Sequence, residues 1–164
     1  MKKILCAILS MIAGVALAAD LPDSRMTPGA TNQEVTQTNI GQTVCVKGFT
    51  KTIRPPAYFT NSLKKQQIRE YGYADQDPRQ YEEDHLIALS IGGAPANVRN
   101  LWPQPRSSEW GADQKNQLEL VMFKMVCAHE ISLKDAQYEM ATDWIKAWKA
   151  YVPGHKIHQS KPIE

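Results

Sequence analysis

Apolar positions along this chain come in patches whose period changes from one stretch to the next. Residues 4–17 form one unbroken apolar run behind Lys2 and Lys3. Further on the runs are short. Residues 42–46 and 49–53 alternate and are rich in β-branched side chains, with Lys47-Gly48 as a turn between them. They predict a short N-terminal strand pair, stopped by Pro55-Pro56. Thr60 or Asn61 is placed to cap a helix over residues 62–71, with Leu63, Gln67 and Ile68 on related turns and Gly72 at its end. Residues 81–89 read as extended and 94–99 as a loop. Residues 100–102 begin a second extended piece, which Pro103 and Pro105 should keep from pairing further. Leu118, Val121, Met122, Met125 and Val126 recur at helical spacing and predict a helix over residues 111–128. Ser132 with Asp135 marks the start of a last helix, residues 133–151, closed by Pro153-Gly154. The central order is strand, turn, strand, helix, and the fold class is α+β.

The first run changes how the rest is read. A basic start, an apolar stretch and Ala16-Leu17-Ala18 before Ala19 make residues 1–18 a signal peptide cleaved near Ala18-Ala19. The protein is therefore expected in the periplasm or secreted. The run is shorter than the roughly 20 residues that a membrane-spanning helix needs, so no stable membrane insertion is expected after cleavage. The remainder divides into a polar lead-in over residues 19–42, loosely ordered by its Thr, Asn and Gln content, one domain over 43–151, and a basic, polar tail over 152–164. Without Lys2 and Lys3, basic and acidic residues stand at 17 each and the net charge falls from +2 to 0. Attraction for a polyanion then has to be local.

Cleavage also removes Cys6 and leaves Cys45 and Cys127. An even cysteine count in an exported chain reads first as a disulfide. A catalytic thiol is the alternative, although both residues lie in apolar runs, where a thiol is usually inert.

The candidate chemistry sits in the middle of the chain. Asp84 and His85 stand side by side, Gly92-Gly93 permits a sharp reversal, and Asn100-Leu101-Trp102-Pro103 opens the next apolar segment. Hydrolysing a phosphodiester needs a base for the attacking water, a cation for the phosphoryl oxygens, and a frame for both. Histidine titrates near neutrality and suits the first role. One divalent ion, Mg²⁺ or alternatively Mn²⁺, suits the second and takes a few oxygen ligands from protein. Adjacent strand residues point to opposite faces, so Asp84 and His85 can share a site only if the strand ends or bends there. Glu82 and Glu83 read as solvated strand-edge charges, with Glu83 also placed to orient the base.

The segment Asp84-His85-Leu86-Ile87-Ala88-Leu89-Ser90-Ile91-Gly92-Gly93, followed by Asn100-Leu101, resembles the core of the HNH endonucleases of the ββα-metal superfamily. Residues 43–150 also resemble a family of small exported bacterial proteins that share this HNH-like centre. The resemblance implies a small ββα-metal core with additional helices, and an endonuclease that hydrolyses DNA or RNA. It implies His85 as general base and Asp84 as metal ligand. Asn100 becomes a residue that stabilises the loop or binds the metal. The third ligand position, on the following helix, falls to Asn116, with Asp113 one turn earlier as the alternative. The Cys-x-x-Cys pairs that many relatives use for structural zinc are absent from this sequence.

Lys47, Lys51, Arg54, Lys64, Lys65 and Arg69 follow one another with no acidic residue among them, and Tyr58 and Phe59 lie between. Such a local field can hold phosphates on a neutral protein, in a salt-dependent way. Arg99 and Arg106 flank the Asn100 segment and are placed to clamp a scissile phosphate. An ordinary solvated face, balanced by the acidic run of residues 75–84, is the alternative. Nothing suggests readout of bases, so cleavage should be weakly sequence-specific. The competing function is a non-catalytic HNH-like envelope or nucleic-acid-binding module. The sequence fixes neither DNA against RNA nor the oligomeric state.

Overall fold

The computed structural model describes residues 21–155. The expected signal peptide, its expected cleavage point and the tail beyond His155 lie outside the described residues. Among those described, the chain is α+β, with four α-helices and one two-stranded antiparallel sheet. Helix α1 spans Phe49–Ile53 and α2 Ala57–Glu70; strand β1 is Tyr81–His85 and β2 Leu101–Pro105; α3 covers Ala112–Cys127 and α4 Leu133–Tyr151. No helix among the described residues is long and apolar enough to cross a membrane.

The expected N-terminal strand pair is not formed. Residues 43–46 form turns that follow a 3-10 turn, Ile40–Gln42, and α1 occupies the second position. Runs of five residues are too short for alternation to separate strand from helix. Here Gly48 takes φ 88°, in the left-handed region, and turns the chain directly into α1. Helix α2 starts earlier than expected, straight after Pro56, so Thr60 and Asn61 lie inside it rather than capping it. Gly72 (φ 69°) does end it. The Gly72 amide donates to the Arg69 carbonyl and the Tyr73 amide to that of Ile68, the paired closure that a left-handed residue makes possible.

The hairpin extends further than the prolines suggested. Tyr81 to His85 pair in register with Pro105 to Leu101, so Pro103 faces Glu83 and Pro105 faces Tyr81. The Leu101 carbonyl accepts from Thr27 Oγ1 and Gln67 Nε2, outside the sheet. The Asn100 carbonyl, by contrast, accepts from the Leu86 amide, inside it. Odd-numbered residues of β2 thus aim their backbone groups away from β1, and proline at 103 and 105 removes no ladder bond.

The two faces of the hairpin are covered by different helices. Tyr81 packs with Ile68 of α2 and with Tyr73. Trp102, on the other face, joins Leu118 and Met122 of α3 and Met140 and Trp144 of α4 in the main core. Helix α4 breaks at Asp143, whose backbone leaves the helical region and whose carboxylate accepts from the Lys146 amide. Its start is as expected: Ser132 Oγ accepts from the Asp135 amide. Cys45 and Cys127 are joined in a disulfide across a sequence separation of 82 residues, tying the segment before α1 to the end of α3.

The lead-in is more ordered than its composition predicted. Val35 and Ile40 lie in the core, and Thr27 is fully buried. Residues 27–32 run beside the loop between β1 and β2. The Gly29 amide donates to the Arg99 carbonyl, Asn32 to Gly92, and Ala94 to Ala30.

Candidate functional site

Asn100 organises the loop that joins the strands. It is fully buried, and every polar atom of its side chain is used. Oδ1 accepts from the Ile87 amide at 2.9 Å and from that of Ala30 at 3.4 Å; Nδ2 donates to the Ile87 carbonyl at 3.0 Å and to that of Ala94 at 3.1 Å. The two glycines have separate reasons. Gly92 sits at φ 77°, closing the 3-10 turn Leu89–Ile91. At Gly93 a Cβ would lie 1.8 Å from the Ile87 carbonyl oxygen, so the chain can close only without one.

That loop carries the acceptor for the histidine. His85, the last residue of β1, is 5% exposed, and its Nε2 lies 2.8 Å from the Pro95 carbonyl. A carbonyl only accepts, so Nε2 holds the hydrogen and Nδ1 of the neutral ring holds the lone pair. Burial pushes the imidazole below its ordinary pKa; the Pro95 bond and the Asp84 charge act the other way, while Arg54 and Lys115 add to the lowering.

Asp84 does not join it. The strand stays regular through His85, which pairs with Leu101, so the two side chains leave on opposite faces. Asp84 turns towards α3, where its Oδ2 lies 2.6 Å from Lys115 Nζ. Lys115 has no exposed side-chain surface; it also pairs with Glu119 Oε1 at 2.5 Å and donates to the His85 carbonyl at 2.7 Å. The two carboxylates outweigh burial and raise the lysine pKa, so it stays charged. Burial holds the Glu119 carboxyl up to about 7; the Lys115 charge opposes this and that of Asp84 adds to it. Sequence reasoning passed over Lys115. The signal was there: position 115 falls on the stripe of Leu118 and Met122, where a lysine has to be paired, and Glu119 follows at i+4.

Glu83 shares the His85 face of β1, and neither of its carboxyl oxygens has a hydrogen-bond partner. Burial, then the Asp84 charge, pushes its carboxyl from 4.5 up to about 8, with Lys64 opposing. The earlier reading as a solvated edge charge does not hold for it. A folded-state carboxyl pKa above the unfolded one means stability is intact below about 4.5 and lost as pH rises through about 8. Glu83→Gln is therefore expected to match wild type near pH 5 and to exceed it by on the order of 2 kcal/mol near pH 9. Urea titrations at the two pH values check this. Glu82, on the opposite face, accepts from Arg106 Nη1 at 2.9 Å.

Among the other expected site residues, Asn116 is half-buried and Asp113 exposed on the first turns of α3. Among the described residues no cluster of three or more His, Cys, Asp or Glu is placed to hold a metal ion. Lys47, Lys51, Arg54, Lys65 and Arg69 are exposed and Lys64 half-buried, its Nζ donating to the Tyr81 carbonyl. Helix α2 covers the His85 face, and the charge of Arg54 is felt by the imidazole. Arg54 and Lys64 of the basic run are thus brought to the histidine's hairpin. Arg99 and Arg106 are not brought together: they lie beyond opposite ends of β2, and Arg106 is turned to Glu82. Comparison with protein-family models, curated proteins and solved structures finds no match for this chain.

Proposed function

We propose that the chain is an exported HNH-like phosphodiesterase, an endonuclease acting on DNA or RNA with little sequence preference, in which His85 is the general base. The observation that carries this reading is the oriented imidazole at the end of β1. Its Nε2 is held by the Pro95 carbonyl, and Asn100 ties down the loop that supplies it. The order β1, β2, α3 supports a ββα core of the HNH type. Burial keeps the ring neutral, so Nδ1 takes a proton from the attacking water. Arg54, whose charge reaches the imidazole, would meet the phosphate oxygens together with the exposed lysines of α1 and α2.

The resemblance also implies one divalent cation beside the base. The donors do not fit it as arranged: the Asp84 carboxylate is paired with Lys115, and the Asn100 amide is spent on backbone groups. No step is therefore routed through a metal.

Purified, oxidised protein is expected to cut plasmid DNA or RNA, and His85→Ala to cut at least about 100-fold more slowly. Equal inactivity of the two on every substrate would remove catalysis. A second reading, a non-catalytic nucleic-acid-binding module, is favoured by one observation: only 5% of His85 is exposed. It expects salt-sensitive binding that reversing the charges of Lys51, Arg54 and Lys65 abolishes and that His85→Ala leaves alone.

A further inference from the structure

The strongest feature outside the histidine's own surroundings is the fully buried ammonium between β1 and α3. Lys115 Nζ is bracketed by Asp84 Oδ2 at 2.6 Å, Glu119 Oε1 at 2.5 Å and the His85 carbonyl at 2.7 Å. Two carboxylates and a backbone carbonyl are the oxygen donors a hard cation takes. The ammonium donates to the Glu119 carboxylate and the His85 carbonyl, and Asp84 Oδ2 faces it as an ion-pair partner. Bridging two oxygens of β1 and one of α3, the lysine joins the end of the strand to the helix.

We propose that Lys115 is the resident cation of this centre: its ammonium takes the position beside Asp84 where the resemblance places a divalent metal, so the hairpin and α3 are assembled without one. Only the identification of that position rests on the HNH-like reading; the ion pairs stand apart from it. Lys115 is then a positioning residue. It fixes the backbone of His85 from α3, while Pro95 fixes the ring from the loop. The positive charge is covalently attached, so chelators cannot remove it. The same oxygens are closed to a second cation, because burying one there would set two positive charges against each other.

The test uses the full mature protein, stripped of metal, and Mn²⁺ as the probe. A site occupied at a hundredfold excess over its dissociation constant would raise the melting temperature by about 5–10 °C. Wild type is expected to melt alike in chelator and in millimolar Mn²⁺, with no selective paramagnetic broadening of the Asp84, His85 and Lys115 amides. Lys115→Ala, which leaves Asp84 and Glu119 facing an empty space, is expected to be less stable and to regain stability or folding with Mn²⁺. Lys115→Arg keeps the charge and should stay indifferent to it. Stabilisation of wild type by Mn²⁺ that Asp84→Ala abolishes overturns the proposal, as does a Lys115→Ala protein that Mn²⁺ neither binds nor restores. None of these readouts involves cleavage. A protein that cuts nothing but ignores Mn²⁺ sinks the proposed function and supports this inference; one that cuts and holds Mn²⁺ at Asp84 does the reverse.

Discussion

Lys115→Met lowers the stability of the domain by about 3–5 kcal/mol at neutral pH, the usual cost of removing one partner from a buried ion pair. Methionine nearly preserves the volume, so the loss is not that of a cavity. It is the cost of leaving Asp84 and Glu119 beside each other without a counter-charge, together with an unsatisfied His85 carbonyl. The pH dependence separates this cause from a packing defect. With the ammonium gone, the charge that opposes burial at Glu119 is lost, and its folded-state carboxyl rises further above its unfolded value. The folded protein then binds more protons, and the deficit shrinks as pH falls towards the ordinary carboxylate range. A packing defect would persist unchanged. Denaturant titrations of both proteins at neutral and at acid pH measure the difference. Adding Glu119→Gln should recover part of the loss at neutral pH and little of it at acid pH.

The second large effect belongs to the Cys45–Cys127 bridge. It closes a loop across 82 residues of sequence, for which chain entropy alone gives about 4.5 kcal/mol. Replacing both cysteines with alanine should therefore lower the melting temperature by roughly 10–18 °C, taking 2–4 °C per kcal/mol for a domain of this size. Cys45 packs against the main core and neither cysteine is fully buried, so the double variant should still fold. Thermal melts of oxidised wild type, reduced wild type and the double alanine variant make the comparison. A variant as stable as oxidised wild type would show that the core alone holds the segment before α1 in place.

The parts of the site legible in the sequence are those whose residue types answer a local backbone demand. Gly92 is required by a positive φ, Gly93 by a carbonyl in the way of any Cβ, and Asn100 by a set of backbone groups that only an amide side chain can satisfy at both ends. Those demands recur wherever such a loop is built, so their spacing could be read. Helix α3 and helix α4 were legible from their apolar stripes and the Ser132 cap. What was not legible depends on pairing across the chain. Whether Pro103 breaks a ladder depends on which way its backbone faces, which only the register with Glu83 decides. The residues before α1 alternate like strands but have no strand beside them. The pairing of Lys115 with Glu119 could be read from its stripe position, but its partners Asp84 and the His85 carbonyl lie some thirty residues earlier in the chain.

The run of residues 27–32 beside the loop carries one more implication, which concerns the order of events as the molecule forms. Thr27 and Ala30 bond to Leu101 and Asn100 across separations of 74 and 70 residues. The hairpin itself brings together partners far closer in sequence. Closing the longer loop costs more entropy, and its bonds have no acceptors until the hairpin loop exists. The N-terminal segment is thus expected to dock onto a hairpin already in place, although it precedes that hairpin in the chain. Asn100 gains its last partner only then, so the rigidity around His85 is among the last properties the protein acquires.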